Sequence, residues 1–240
     1  MDAKSVKSAT NNLFAGTSGW AYATWKPEFY PAKLPSKKFL EHYATRLNSV
    51  EVNYTFRRLA SPALLEGWIA ATGPDFQFAI KAHQTITHIK RLRDAQEAVD
   101  KFVASLKPLR EAKKLGPVLF QLPPNFKCDP ARLRDFLAIV PKSLRVAFEF
   151  RHESWFNEVV YEALKKSNAA LCLAESEELR TPEVRTTDFH YLRLRKDTNS
   201  LKAAQKKVEK LAADGPVYVY FKHEDTPEGA LQAEKLLQQK

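Results

Sequence analysis

The apolar positions of this chain follow two patterns in turn. Short runs carry apolar residues at every second position, the period of a strand. Longer stretches between them repeat at three and four, the period of a helix. The strand-like runs are Leu13–Trp20, Ser49–Phe56, Phe76–Ala82, Pro117–Pro124, the first half of Arg145–Phe156, Ala170–Glu175, His190–Arg195 and Val217–Lys222. Helical stripes fall between them: Phe39, Leu40, Tyr43 and Leu47; Leu64, Leu65, Trp68 and Ile69; Ala98, Val99, Phe102, Val103 and Leu106; and Leu133, Phe136, Leu137 and Val140. Further on come Val159, Val160 and Leu164; Leu201, Ala204, Val208 and Leu211; and Leu231, Leu236 and Leu237. Ser36, Ser61 with Pro62, Asp129 with Pro130, Ser200, and Thr226 with Pro227 are start signals. Gly73–Pro74 and Gly215–Pro216 are stops.

Eight strands, nearly all separated by helices, predict an α/β fold of the TIM-type (β/α)8 class. The pattern is weakest between strands six and seven, where SEELRTPEVRTTD holds no amphipathic helix, so an irregular connection is expected there. An open doubly wound sheet is the alternative, but GTSG after the first strand is too short for a dinucleotide turn. Residues 1–12 read as a flexible leader or a cover over one barrel end, and residues 13–240 as a single domain.

Composition narrows the setting. No apolar run approaches membrane-spanning length, and the first dozen residues lack the apolar segment of a secretory signal. Cys128 and Cys172 have no paired spacing, which points to a reducing, cytoplasmic setting and away from a cysteine metal site. Cys172 lies in an apolar strand and reads as a core filler. The net charge of +10 permits nucleic acid, anionic small molecules or acidic surfaces as partners. Most of it sits on lysine-rich helix faces such as KKVEKLAADG and REAKKLG, which solvation alone explains. No membrane partner is expected, and the sequence does not set the oligomeric state.

Several long blocks, in order, resemble one family. GTSGWAYATWKPEFYP, SVEVNYTF, GPVLFQLPP, FEFRHESWF and VYVYFKHEDTPEGALQAEKLL are similar to the signature blocks of the YecE-like family, DUF72, from about Phe14 to the C-terminus. The resemblance implies a TIM-type barrel, with a fold-level likeness to sugar-isomerase and endonuclease-IV barrels. It implies no reaction and carries over no catalytic residues. The chain departs from the family pattern at Arg57, at Arg193-Leu194-Arg195-Lys196 and at Lys222-His223-Glu224, each change adding charge near a strand end.

Alternation then sorts each strand into a helix-facing and an inward parity. Inward fall Glu51, Asn53 and Thr55; Gln77, Ala79 and Lys81; Leu119 and Gln121; Ala147, Glu149 and Arg151; Tyr191, Arg193 and Arg195; and Tyr218, Tyr220 and Lys222. Strand six is ambiguous, with Glu175 at its end. The later member of each set lies toward the C-terminal mouth, where barrel enzymes keep their sites. Asn53, Lys81, Gln121, Glu149, Arg151, Arg193 and Lys222 should therefore converge, with Glu149 the one carboxylate among four cations. Two readings follow. In the first, the cations hold an anionic substrate, Glu149 is general base and Lys81 a proton donor or electrostatic stabiliser, as in isomerase or lyase chemistry. In the second, Glu51 and Glu149 neutralise Lys81, Arg151 and Arg193 in a structural network without a ligand.

Trp20, Tyr22 and Trp25, in the long first loop, either stack on a ligand or plug the barrel top. His83, His88, Lys90, Arg91 and Arg93 form a basic connection, with His83 a candidate ligand contact. Trp155 should pack the start of its helix. No HExxH spacing, nucleophile elbow or P-loop occurs. No cofactor is expected, and a single divalent ion on Glu149, Glu175 or His223 stays open as an alternative. The competing functions are a small-anion enzyme, a nucleic-acid-binding or phosphodiester-cleaving barrel, and a non-catalytic binding module.

Overall fold

The computed structural model describes residues 12–175, 179–195, 201–222 and 225–238. Its eight strands are β1 (Leu13–Thr17), β2 (Ser49–Val52), β3 (Gln77–Lys81), β4 (Leu115–Gln121), β5 (Val146–Glu149), β6 (Ala169–Ala174), β7 (His190–Leu194) and β8 (Val217–Phe221). All pair in parallel, in the order β1-β8-β7-β6-β5-β4-β3-β2. Helices return the chain between most of them, giving the expected barrel. Among the described residues none of these helices is long and apolar enough to cross a membrane.

Nine α-helices are described: α1 (Phe39–Arg46), α2 (Tyr54–Arg57), α3 (Pro62–Ala70), α4 (Gln96–Ser105), α5 (Lys107–Glu111), α6 (Pro130–Ile139), α7 (Glu158–Lys166), α8 (Leu201–Ala212) and α9 (Glu228–Gln238). Ser61 and Asp129 cap α3 and α6 as their sequence positions predict, each accepting a backbone N–H from the first turn. Ser36 does not cap α1. It begins a 3-10 turn, Ser36–Lys38, that leads into the helix. Val159 is exposed, and α7 buries Val160, Tyr161, Ala163 and Leu164 instead. The second strand stops at Val52 rather than Phe56. Asn53 then starts α2, and the Thr55 hydroxyl donates to the Lys81 carbonyl at 2.8 Å. The irregular link between β6 and β7 holds no helix among its described residues. Residues 1–11 of the leader and the Ser200 cap lie outside the described residues, as do Lys196, His223 and Glu224.

The core has two layers. Between sheet and helices pack the outward parities, with Phe120 and Phe148 stacked at 5.2 Å beneath Phe136. Inside the barrel, Ala79, Leu119, Ala147, Ala170 and Cys172 face Tyr191, Tyr218 and Tyr220. Alanines on one side leave the room that tyrosines on the other fill, as close packing requires. This also resolves strand six: Ala170 and Cys172 point inward, and Cys172 is the filler its surroundings suggested. Each tyrosine hydroxyl is partnered: Tyr191 donates to Glu51, Tyr220 pairs with Ser49, and Tyr218 accepts from Arg145.

The barrel closes between β1 and β2 in an unusual way. Among the described residues their ladder is reduced to one bridge, Ser18 with Glu51. Side chains replace the missing bonds. Asn48 accepts from the Ala15 N–H and donates to the Leu13 carbonyl, at 2.9 and 2.8 Å. The Tyr43 hydroxyl accepts from the Thr17 N–H and donates to the Ser49 carbonyl, at 2.9 and 3.0 Å. Gly16 lies in this seam, where an added Cβ would stand 1.9 Å from the Ser49 carbonyl oxygen.

Candidate functional site

Arg193 stands at the centre of the C-terminal mouth. It is almost fully buried, carried inward by the parity of β7, and its guanidinium joins two carboxylates from opposite parts of the sheet. Nη2 donates to Glu51 Oε1 at 2.9 Å and Nη1 to Glu149 Oε2 at 2.5 Å. The planar fork of arginine suits such bridging. Glu51, fully buried, also accepts from Ser18 Oγ and Tyr191 Oη, both at 2.7 Å. Glu149 also accepts from Gln121 Nε2 at 2.9 Å, across the β4–β5 register pair Gln121–Glu149. Arg193 Nε–H is buried without a hydrogen-bond partner.

The electrostatics follow from this arrangement. Burial pushes the Glu149 pKa up, but Arg193 and the Gln121 hydrogen bond outweigh it and hold the carboxyl below its ordinary value. Lys81 moves the other way. Burial, then the positive charge of Arg193, lowers its pKa to about 8, with Glu51 and Glu149 pulling back and Lys222 adding to the drop. Its ammonium lies 4.3 Å from the centre of the Phe56 ring. Lys222 is lowered for the same reasons, burial first and then Arg193, Arg195 and Arg151. Among the described residues, Lys81, Arg151 and Lys222 form no ion pair.

The Lys81 shift has a measurable sign. The unfolded chain holds this proton more tightly than the folded one, so the group adds stability as pH rises from about 8 toward 10.5. That rise should be missing in Lys81→Met when urea midpoints are compared at about pH 8 and about pH 10. An unchanged slope would return Lys81 to the class of ordinary solvated lysines.

A cavity of about 70 Å³ opens beside Arg193, lined by Glu149, Arg151, Glu175, Arg195 and Lys222 among others. That is room for a few waters or one phosphate- or carboxylate-sized group. Glu175 is engaged by Lys207 at 3.2 Å. Arg151, expected inward, is exposed at the rim, because β5 ends at Glu149 and alternation no longer directs it.

The remaining expected contacts are dispersed. Asn53 sits before α2, its Oδ1 buried without a partner. His83 faces a separate hollow with Leu59, Thr85 and Lys90. Trp20 meets Trp68 edge-on at 5.3 Å. Trp25 is fully buried, stacked on Tyr30, so it is core and not a ligand platform. Trp155 stacks on Phe150 at 4.7 Å and donates its indole N–H to the Phe126 carbonyl. Glu149 is not the sole central carboxylate: Glu51 shares Arg193 equally. Its parity already placed Glu51 inward, but its link to Arg193, a strand pair five positions around the sheet, has no local sequence signal. In the sequence, His88 is distinguished only as part of the basic connection. It lies in a π-helical turn, Thr85–Ile89, edge-on to Phe56 at 4.8 Å. Burial and then the charges of Lys81 and Arg151 lower its pKa. Among the described residues no three His, Cys, Asp or Glu side chains gather as a metal set, and His223 lies outside them.

A model of the family described as protein of unknown function DUF72 matches residues 14–240. The chain belongs to this family. Among curated DUF72-type relatives, UPF0759 protein YunF of Bacillus subtilis is 33% identical over 157 residues, 62% of this chain and 54% of that protein. UPF0759 protein YecE of Escherichia coli K12 is 30% identical over 145 residues, 60% of this chain and 50% of that protein. The chain thus spans about half the length of the curated relatives it matches. A DUF72 family protein from Thermotoga maritima superposes with a TM-score of 0.82 at 27% identity, covering 93% of this chain and 97% of that one. One from Enterococcus faecalis gives 0.74 at 20% identity, covering 95% and 98%, and attests the shared fold. The barrel is therefore shared with these two solved DUF72 proteins, and the family name assigns no reaction.

Proposed function

We propose that this DUF72 barrel binds a small molecule bearing a phosphate or carboxylate group at its cationic mouth and moves a proton on it, in isomerase- or lyase-type chemistry. One observation carries the reading. Glu51 and Glu149 already match Arg193 and Lys81 in charge, yet Arg151 and Lys222 line the adjoining cavity without an ion pair among the described residues. Cations in a partly desolvated cleft favour an anion there. The proton-transfer role passes from Glu149 to Lys81. A carboxylate held below its ordinary pKa is a weak base, whereas an amine with a pKa of about 8 exchanges protons readily near neutrality. Glu149 then acts by holding Arg193 and the Lys81 field in place.

Isothermal titration with inorganic phosphate tests the anion site. Arg151→Met combined with Lys222→Met should weaken binding by roughly tenfold or more, since each charged contact contributes about 1.5–3 kcal/mol. Unchanged affinity would remove the mouth as the site. Tighter binding of a short oligonucleotide, falling steeply with salt, would move the reading to nucleic acid.

A further inference from the structure

Lys81 is more than one cation among several. It is half-buried, pinned by its own backbone through the Thr55 bond, and its amine rests on the Phe56 ring with no carboxylate in ion-pair contact among the described residues. An ordinary lysine paired with glutamate is held as ammonium. Here Glu51 and Glu149, which could have taken that role, are turned to Arg193. Lys222 and Arg193 place positive charge around it, and His88 shares the Phe56 ring. Lys81 is not among the residues that line the cavity, but Glu149, Arg193 and Lys222, whose charges act on it, are. The segment after β3 is irregular: a π-helical turn, followed by Arg91, Leu92 and Asp94 at positive φ. π-Turns and left-handed non-glycine residues concentrate where a fold positions chemistry.

From this geometry we infer that Lys81 is an imine-forming nucleophile, and that the ligand of the mouth is an aldehyde or ketone bearing the anionic group. The inference rests on the anion-binding reading above, gives Lys81 a covalent role in place of the proton-carrying one stated there, and names the substrate class. The neutral amine adds to the carbonyl carbon, forming a C–N bond as the carbonyl π electrons move to oxygen. The resulting carbinolamine takes up a proton, loses one water and becomes the iminium. The charge on the iminium nitrogen would then draw electrons from the neighbouring carbon, which is what an isomerase or lyase step needs. No oxidant or reductant is consumed. A lysine shifted to a pKa of about 8 presents roughly 300-fold more neutral amine at pH 7 than one at 10.5.

Reductive trapping tests this on the full chain. The protein is incubated near pH 7 with glyoxylate, an aldehyde carrying a carboxylate, and cyanoborohydride, which reduces the iminium to a stable amine. Labelled lysines are mapped by peptide mass spectrometry over time. Lys81 is expected to label at least tenfold faster than the median lysine, and inorganic phosphate should slow it. Acetaldehyde, which has no anionic group, should lose most of that preference. Labelling of Lys81 at the rate of surface lysines by both aldehydes would overturn the inference, and mapping on the unaltered chain makes that outcome independent of whether Lys81→Met folds. Selective labelling by both aldehydes, indifferent to phosphate, would uphold the nucleophile and reject the anion site. Phosphate binding by titration with no preferential Lys81 label would do the reverse.

Discussion

Replacing Arg193 with methionine is expected to destabilise the barrel by about 3–5 kcal/mol, the cost typical of leaving a buried charge without its partner. The variant strands two carboxylates at once. Glu51 keeps Ser18 and Tyr191 as donors, and Glu149 keeps Gln121, but neither retains a formal positive charge in contact. A lower urea midpoint with an unchanged slope is the readout. The loss should shrink in the triple variant Arg193→Met, Glu51→Gln, Glu149→Gln, because uncharged amides need no counterion. A triple variant no better than the single one would mean that packing of the arginine stem, and not charge, sets the cost. Acid should act on the same centre. The Glu149 pKa is depressed on folding, so its contribution is present above the ordinary carboxylate range and disappears as pH falls through the lower folded value.

The second large effect is expected at the seam. Gly16→Ala places a methyl group 1.9 Å from the Ser49 carbonyl oxygen and 2.7 Å from the Tyr43 hydroxyl. Backbone cannot step aside as a flexible side chain can, so the upper end of the overpacking range applies, about 3 kcal/mol or more. In a chain of this length that corresponds to a drop in Tm of roughly 6–12 °C. Gly67→Ala supplies the contrast. This exposed position in α3 has nothing within 4 Å of an added Cβ, and alanine should gain up to about 1 kcal/mol there through helix propensity. Equal melting shifts for the two alanines would show that β1 and β2 are not held as close as the geometry gives.

Strand periodicity made most of the barrel legible, because inward and outward faces obey different rules for side-chain size and charge. The inward parities of Ala79, Leu119, Ala147, Tyr191, Tyr218 and Tyr220 follow directly from alternation. Asn53 to Phe56 misled it. Tyr, Thr and Phe are good strand formers, but the tertiary bond from Thr55 to the Lys81 carbonyl accompanies a helical turn instead. Alternation also ran one step too far at Arg151, beyond the end of its strand. At the site, composition revealed that charges would gather, but not how they would pair. Which carboxylate meets Arg193 depends on how the strands stagger around the barrel, and no local pattern encodes that offset. Nor does a residue type announce its ionisation. Lys81 is distinguished from the many surface lysines only by burial and by neighbours drawn from β2, β5, β7 and the segment after β8.

The seam bears on how the chain assembles during synthesis. β1 is translated before every other strand, yet its ladder partner is β8, and its other side is fastened mainly by Asn48 and Tyr43. β2 to β7 can register with one another as they emerge, each against its predecessor. β1 cannot complete its pairing until Val217–Phe221 has cleared the ribosome tunnel. Of the eight described strands, the one made last is therefore the one that secures the first.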